Sequence, residues 1–175
     1  CTDSDAANFC SECSIEDDSC IYYPDSFTFN QSTKQAFYFP NSAEIDGEGL
    51  ELNTDWIAAF RNGVCVGSRV WSGAFETDIP AMGDDGELWT QGYLQNGDVP
   101  EFIVYDASAD AYYPAEASSS VGWLENIIIE LDYINVYPDC ASVLGGDAYF
   151  DDCGTCVGGT TGIEANSDNL GCGCF

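Results

Sequence analysis

Histidine is absent from this chain of 175 residues, and basic residues nearly are. Lys34, Arg61 and Arg69 stand against 31 acids, for a formal net charge of -28. Without histidine, the Ser-His-Asp and Cys-His arrangements cannot be built. Three basic residues cannot neutralise a phosphate backbone, which excludes nucleic acid as a direct partner. An anionic membrane surface is excluded for the same reason. No run of 18 apolar residues occurs, so no membrane-spanning helix is expected. Helical apolar spacing is not sustained over three turns, and helices are expected to be scarce. A chain that opens on cysteine, with no leader-like segment, is expected to be a mature or excised piece of something larger.

What is present makes a real core. Hydrophobic residues are 45% and aromatics 14%, too apolar for a disordered acidic tail. Ten cysteines dominate the two ends. Cys1, Cys10, Cys13 and Cys20 lie in the first 20 residues, Cys140, Cys153, Cys156, Cys172 and Cys174 in the last 36, and only Cys65 in between. Abundant cysteine without histidine points to disulfides in an oxidising compartment rather than to zinc. A thiolate site at Cys153-Gly-Thr-Cys156 and Cys172-Gly-Cys174 is the alternative, but it lacks the regular paired spacing of zinc ligands. Spacing does not give the connectivity. Cys1 with Cys20 is the first expected pair, the others are confined within each end, and an unpaired cysteine could link subunits. A charge this far from zero repels itself and calls for multivalent cations, high salt or a partner surface.

Three units follow from composition. Residues 1–24 form a cysteine-rich acidic cap, 25–138 hold most of the aromatic and branched residues, and 139–175 are rich in Gly, Asp and Cys; Pro24 and Pro138 mark the joints. The turn dipeptides Asp46-Gly47, Asn62-Gly63, Asp85-Gly86 and Asn96-Gly97 punctuate short apolar runs. Strands are expected at 26–30, 35–39, 55–60, 64–71, 88–94, 101–106 and 123–137, with Asn62-Gly63 the clearest hairpin. In 35–39, Ala36 and Tyr38 point opposite to Gln35, Phe37 and Phe39. In the last strand the apolar face changes side after Tyr133, which predicts a bulge or passage into another interface. The expected fold is all-β, an antiparallel β-sandwich of jelly-roll or immunoglobulin-like kind flanked by small disulfide-rich loops.

At the N-terminal end, Cys1, Thr2, Asp3, Ala6, Asn8, Phe9, Asp17, Asp18, Ser19, Cys20 and Tyr22 form a pattern. It resembles the cysteine-bounded acidic repeat of large secreted modular proteins of marine bacteria. A glycine usual between Asp18 and Ser19 is missing, and Cys10 and Cys13 are additions. At the other end, Asp139, Cys140, Gly145, Gly146, Ala148, Asp152, Cys153, Gly154, Cys156, Gly158 and Gly159 are similar to linker units of the same proteins, which sit beside thrombospondin type 3-like calcium repeats. The centre is similar to β-sandwich modules of that class. The resemblance implies an extracellular, calcium-stabilised adhesive or structural role and no chemistry.

Calcium is the expected cofactor on chemical grounds as well, because a hard cation needs six to eight oxygens on tight loops. Asp3, Asp5, Asn8, Asp17 and Asp18 make one acidic group, which a Cys1–Cys20 bridge would gather; Asp147, Asp151 and Asp152 make a second. Neither matches the EF-hand loop. Asp84–Glu87 reads better as an exposed turn. Paired carboxylates could in principle cleave glycosides, but the pool of glutamates makes no pair informative, and no enzyme is expected. Trp56 and Trp71 lie in strong strand patterns and read as core, whereas Trp89 and Trp123 could stack on sugar rings. Asn30-Gln31-Ser32 is an N-glycosylation sequon at a strand end. The long last strand could pair with a neighbouring copy, though pairing within its own sandwich is favoured. The expected role is an extracellular structural module, a repeat or subunit of a fibre, matrix or adhesin, whose partner is itself head to tail or a neighbouring module. The alternative is a carbohydrate-binding module of a larger secreted protein.

Overall fold

A computed structural model describes residues 1–15 and 19–167. Asp17, Asp18, Cys172 and Cys174, named above as ligands or disulfide partners, lie outside the described residues.

The chain is all-β. In order, the strands are β1 (Gln35–Pro40), β2 (Ala43–Ile45), β3 (Glu48–Gly49), β4 (Trp56–Arg61), β5 (Val64–Val70), β6 (Ile79–Met82), β7 (Glu101–Asp106), β8 (Ala111–Ala117), β9 (Ile128–Leu131), β10 (Ile134–Val136), β11 (Tyr149–Phe150) and β12 (Cys156–Val157). A three-stranded sheet has the order β6-β1-β9, and a seven-stranded sheet the order β3-β2-β10-β8-β7-β4-β5. Most neighbours are antiparallel, but β1–β9 and β10–β2 are parallel. β11 and β12 form a small separate hairpin.

The two main sheets bury one shared core. The small sheet contributes Ala36, Tyr38, Ile79, Ala81, Ile129 and Leu131; the large sheet contributes Ile57, Ala59, Val66, Val104, Ile134 and Val136. Ala36 and Tyr38 are buried between partly exposed neighbours, as alternation along β1 predicts. Asn62 (φ 50°) and Gly63 (φ 78°) form the tight turn between β4 and β5. Where β5 passes β6, a Cβ at Gly67 would collide with the Pro80 carbonyl oxygen, so only glycine lets the strands approach this closely.

The last apolar segment behaves as its pattern requires. β9 pairs with β1 in the small sheet; after Asp132 and Tyr133 the chain enters the large sheet as β10 beside β2. Ile129 and Leu131 face the core from one side, Ile134 and Val136 from the other. β1 and β2 make the same crossing through Asn41 and Ser42. Backbone bonds continue through this corner, from Asn41 N–H to the Leu131 carbonyl (2.8 Å) and from Ile134 N–H to the Ser42 carbonyl (3.0 Å).

Two expected strands are absent. Residues 88–94 begin with a single 3-10 turn at Leu88–Thr90. Thr90 Oγ1 bonds the Asp85 carboxylate (2.6 Å), and local side-chain bonds of this kind outcompete a ladder. Residues 26–30 pair with no strand; they lie across the outer face of the large sheet, with Phe27 fully buried and its carbonyl accepting Ser68 Oγ–H (2.7 Å). β4 is consequently buried on both faces, Trp56, Ala58 and Phe60 packing outward under Phe27 together with Cys65.

Candidate functional site: capped acidic loops and an aromatic cleft

The expected bridge Cys1–Cys20 is present, as are Cys10–Cys13 and Cys140–Cys156. Cys153 is also disulfide-bonded, and Cys65 is a buried free thiol whose pKa burial pushes up to about 11. These bridges mark a protein made for an oxidising environment. No helix among the described residues is long and apolar enough to cross a membrane.

The acidic loops are organised around backbone amides. Asp139 Oδ1 accepts from the N–H groups of Ala141 (2.8 Å) and Val143 (2.9 Å), and its Oδ2 from that of Ala148 (3.0 Å). A Cβ on Gly146 would strike the same carboxylate. Asp151 Oδ1 accepts from Cys153 N–H (2.9 Å) and Thr155 N–H (3.0 Å), and Oδ2 from Asn166 N–H (2.8 Å). Asp85 takes the hydroxyl of Thr90 and both N–H (2.9 Å) and hydroxyl (3.0 Å) of Thr33. These donors hold all three carboxyls below the usual carboxylate range. Each acid is thus a keystone that closes its loop, held by amide N–H groups at Asp139 and Asp151 and chiefly by the Thr90 hydroxyl at Asp85.

The expected calcium ligands divide accordingly. Both oxygens of Asp151 accept amide N–H groups. Asp3 Oδ1 accepts from Asp5 N–H (3.0 Å), and its Oδ2 accepts Tyr22 O–H (2.8 Å). Asn8 is occupied at both ends, donating to the Ser19 carbonyl (2.6 Å) and accepting Ile21 N–H (2.9 Å). Among the described residues no group of three or more carboxylates or cysteines is arranged to hold a metal ion.

All three basic side chains are committed. Lys34 Nζ donates to the Asp84 carbonyl (3.0 Å), Arg61 pairs with Asp98 (2.7 Å) and Arg69 with Asp78 (2.8 Å).

Of the two candidate sugar platforms, Trp123 is 2% exposed and donates its Nε1–H to the Ala81 carbonyl (2.8 Å), so it is core and presents no ring face to a ligand. Trp89 is 56% exposed on the 3-10 turn. Asn30 is exposed beside it, its Nδ2 donating to the Trp89 carbonyl (3.3 Å). Trp56 and Trp71 are buried as expected.

A different aromatic site lies on the outer face of the large sheet, where the N-terminal segment crosses β4, β7 and β8. It is a cleft of about 410 Å³ walled by Tyr22, Tyr23, Tyr105 and Tyr112, with Trp56 in its lining and Asp25, Asn53 and Asp110 at its margin. Tyr23 packs on Trp56 (ring centroids 5.1 Å) and Tyr105 on Tyr112 (4.8 Å). Tyr105 O–H donates to Asp110 (2.9 Å), which, with the fields of Tyr112 and Asp25, raises the Tyr105 pKa. The available sequence signal was the alternation of β8, which turns Tyr112 outward and Tyr113 toward the core. A second cleft, of about 390 Å³, opens between Val99–Ile103 and Ser119–Val121 and carries little polar chemistry apart from Glu101 and two serines.

No family model, no curated protein and no solved structure matches this chain.

Proposed function

We propose that the chain is an extracellular structural module, a repeat or subunit of a disulfide-stapled fibre, matrix or adhesin. One observation carries the reading: each of the three described disulfides closes within one end, and the sandwich between them needs none. Such a unit tolerates an oxidising exterior and can be repeated without crosslinks reaching from one end to the other. The acid-capped loops support it, because they keep a strongly charged chain ordered through its own amides. The likeness of both ends to secreted marine-bacterial modules belongs to the same proposal. Calcium enters as the cation that offsets repulsion where copies meet, a role that needs no cage within one copy.

The test is electron microscopy of the purified chain, concentrated with millimolar calcium and again after chelation at matched ionic strength. Ordered polymers that loosen on chelation are expected. Dispersed single particles under both conditions would refute the proposal.

A further inference from the structure

The tyrosine cleft lies on the outer face of the large sheet. Five aromatic residues line it, yet Tyr22, Tyr23 and Tyr112 remain more than a third exposed. Aromatic faces left wet beside fixed polar groups are the ordinary composition of a small-ligand site, and about 410 Å³ falls within the size of such sites. The chemistry around them narrows the ligand. The lining contains no basic residue. Arg69 lines a separate hollow that shares Tyr23 and Trp56, and is paired with Asp78. Phosphate, sulfate and uronate ligands are therefore rejected, and the net charge of -28 reinforces this. A purely apolar ligand would strip water from Asp25, Asn53 and Asp110 without replacing their hydrogen bonds. What remains needs apolar ring faces, hydroxyls that donate to carboxylates, and oxygens that accept from the Asn53 amide and the Tyr23 and Tyr112 hydroxyls, those of Tyr22 and Tyr105 being given to Asp3 and Asp110.

We propose that this cleft binds a neutral pyranose unit of a polysaccharide, its ring against Tyr23 and Tyr112 and its hydroxyls donating to Asp25 and Asp110. Tyr–sugar stacking suits a ring that is apolar on one side and wet at its rim. An organic cation would satisfy the rings and the carboxylates but make no use of the Asn53 amide or the hydroxyl donors. The site is independent of the structural reading above, since a soluble monomer can carry it as well as a fibre.

Isothermal titration of the whole chain with cellohexaose, mannohexaose, xylohexaose and laminarihexaose tests it, with oligogalacturonate and tetramethylammonium as charged comparators. At least one neutral oligomer should bind, with affinity nearly unchanged between about 0.05 and 0.5 M NaCl. Asp110→Asn, which can still accept the Tyr105 hydroxyl, should weaken binding about tenfold by removing a charge-assisted acceptor. Tyr23→Ala should weaken it at least as much, with unchanged melting as the control for folding, while Trp89→Ala should leave it intact. The proposal is overturned if no neutral oligomer binds, or if Asp110→Asn and Tyr23→Ala both bind like the unaltered chain. Salt-sensitive binding of tetramethylammonium in place of the sugars would likewise reassign the cleft to a cation.

Discussion

Replacing Phe27 by alanine should unseat the segment that closes the outer face of the large sheet. Phe27 is fully buried and makes edge-on contacts with Phe60 (5.8 Å), Tyr105 (6.4 Å) and Tyr112 (5.3 Å). Deleting such a ring costs the transfer free energy of its carbons plus the cavity left behind, about 3–5 kcal/mol. For a chain of this size that lowers the melting temperature by roughly 6–20 °C. Cys65 supplies a local reporter, because it is buried in the same cluster. Burial holds its pKa near 11, against an ordinary value of 9.0. Relaxing that shift raises the thiolate fraction at pH 8 roughly a hundredfold, and the lower nucleophilicity of the less basic thiolate returns about a factor of ten. Modification of Cys65 by a disulfide reagent should therefore quicken about tenfold from chemistry alone, and further from access. The assay pairs denaturant unfolding with the rate of thiol modification under native conditions. A loss below about 1 kcal/mol with an unchanged rate would show that residues 19–30 do not lie on this sheet.

Two further outcomes are expected. Replacing Cys1 and Cys20 together by serine should cost about 3 kcal/mol by the chain-entropy relation, and replacing Cys140 and Cys156 a similar amount; limited proteolysis should then cut first in the altered end, and unaltered cleavage would count against the end as a closed unit. Asp85, Asp139 and Asp151 have folded pKa values below the unfolded value near 3.9, so their contribution is complete above about pH 4–5 and is lost as pH falls through the lowered values. Melting temperature should be flat from neutral pH to about pH 5 and drop below about pH 4, with a shallower drop in Asp139→Asn; an identical acid profile in that variant would refute the keystone role.

The fold was legible where local chemistry and burial agreed. Asn62-Gly63 specifies its turn without help, and the change of apolar face after Tyr133 encodes the crossing from β9 to β10. β6 and β8 were hidden because each contains a proline; Pro114 is tolerated because β10 pairs only with Glu116 and Ala117, so Pro114 stands beyond that ladder. The amide bonds to Asp139 and Asp151 were not legible, because they depend on the backbone path, which composition does not reveal. Trp123 shows the same limit, since a tryptophan outside any alternating pattern gives no sign of which way its ring turns. The tyrosine cleft draws on residues some 90 positions apart, a proximity that exists only after the N-terminal segment has folded over the sheet.

The paired crossings of β1–β2 and β9–β10 carry a mechanical consequence. The two segments run parallel, so tension entering at Gln35 and leaving at Val136 pulls them past one another lengthwise. Their ladders then bear load together in shear instead of opening one bond at a time, and the load is shared by both sheets. A tether strung from such units would resist stretching through this seam, well inside the crosslinked ends.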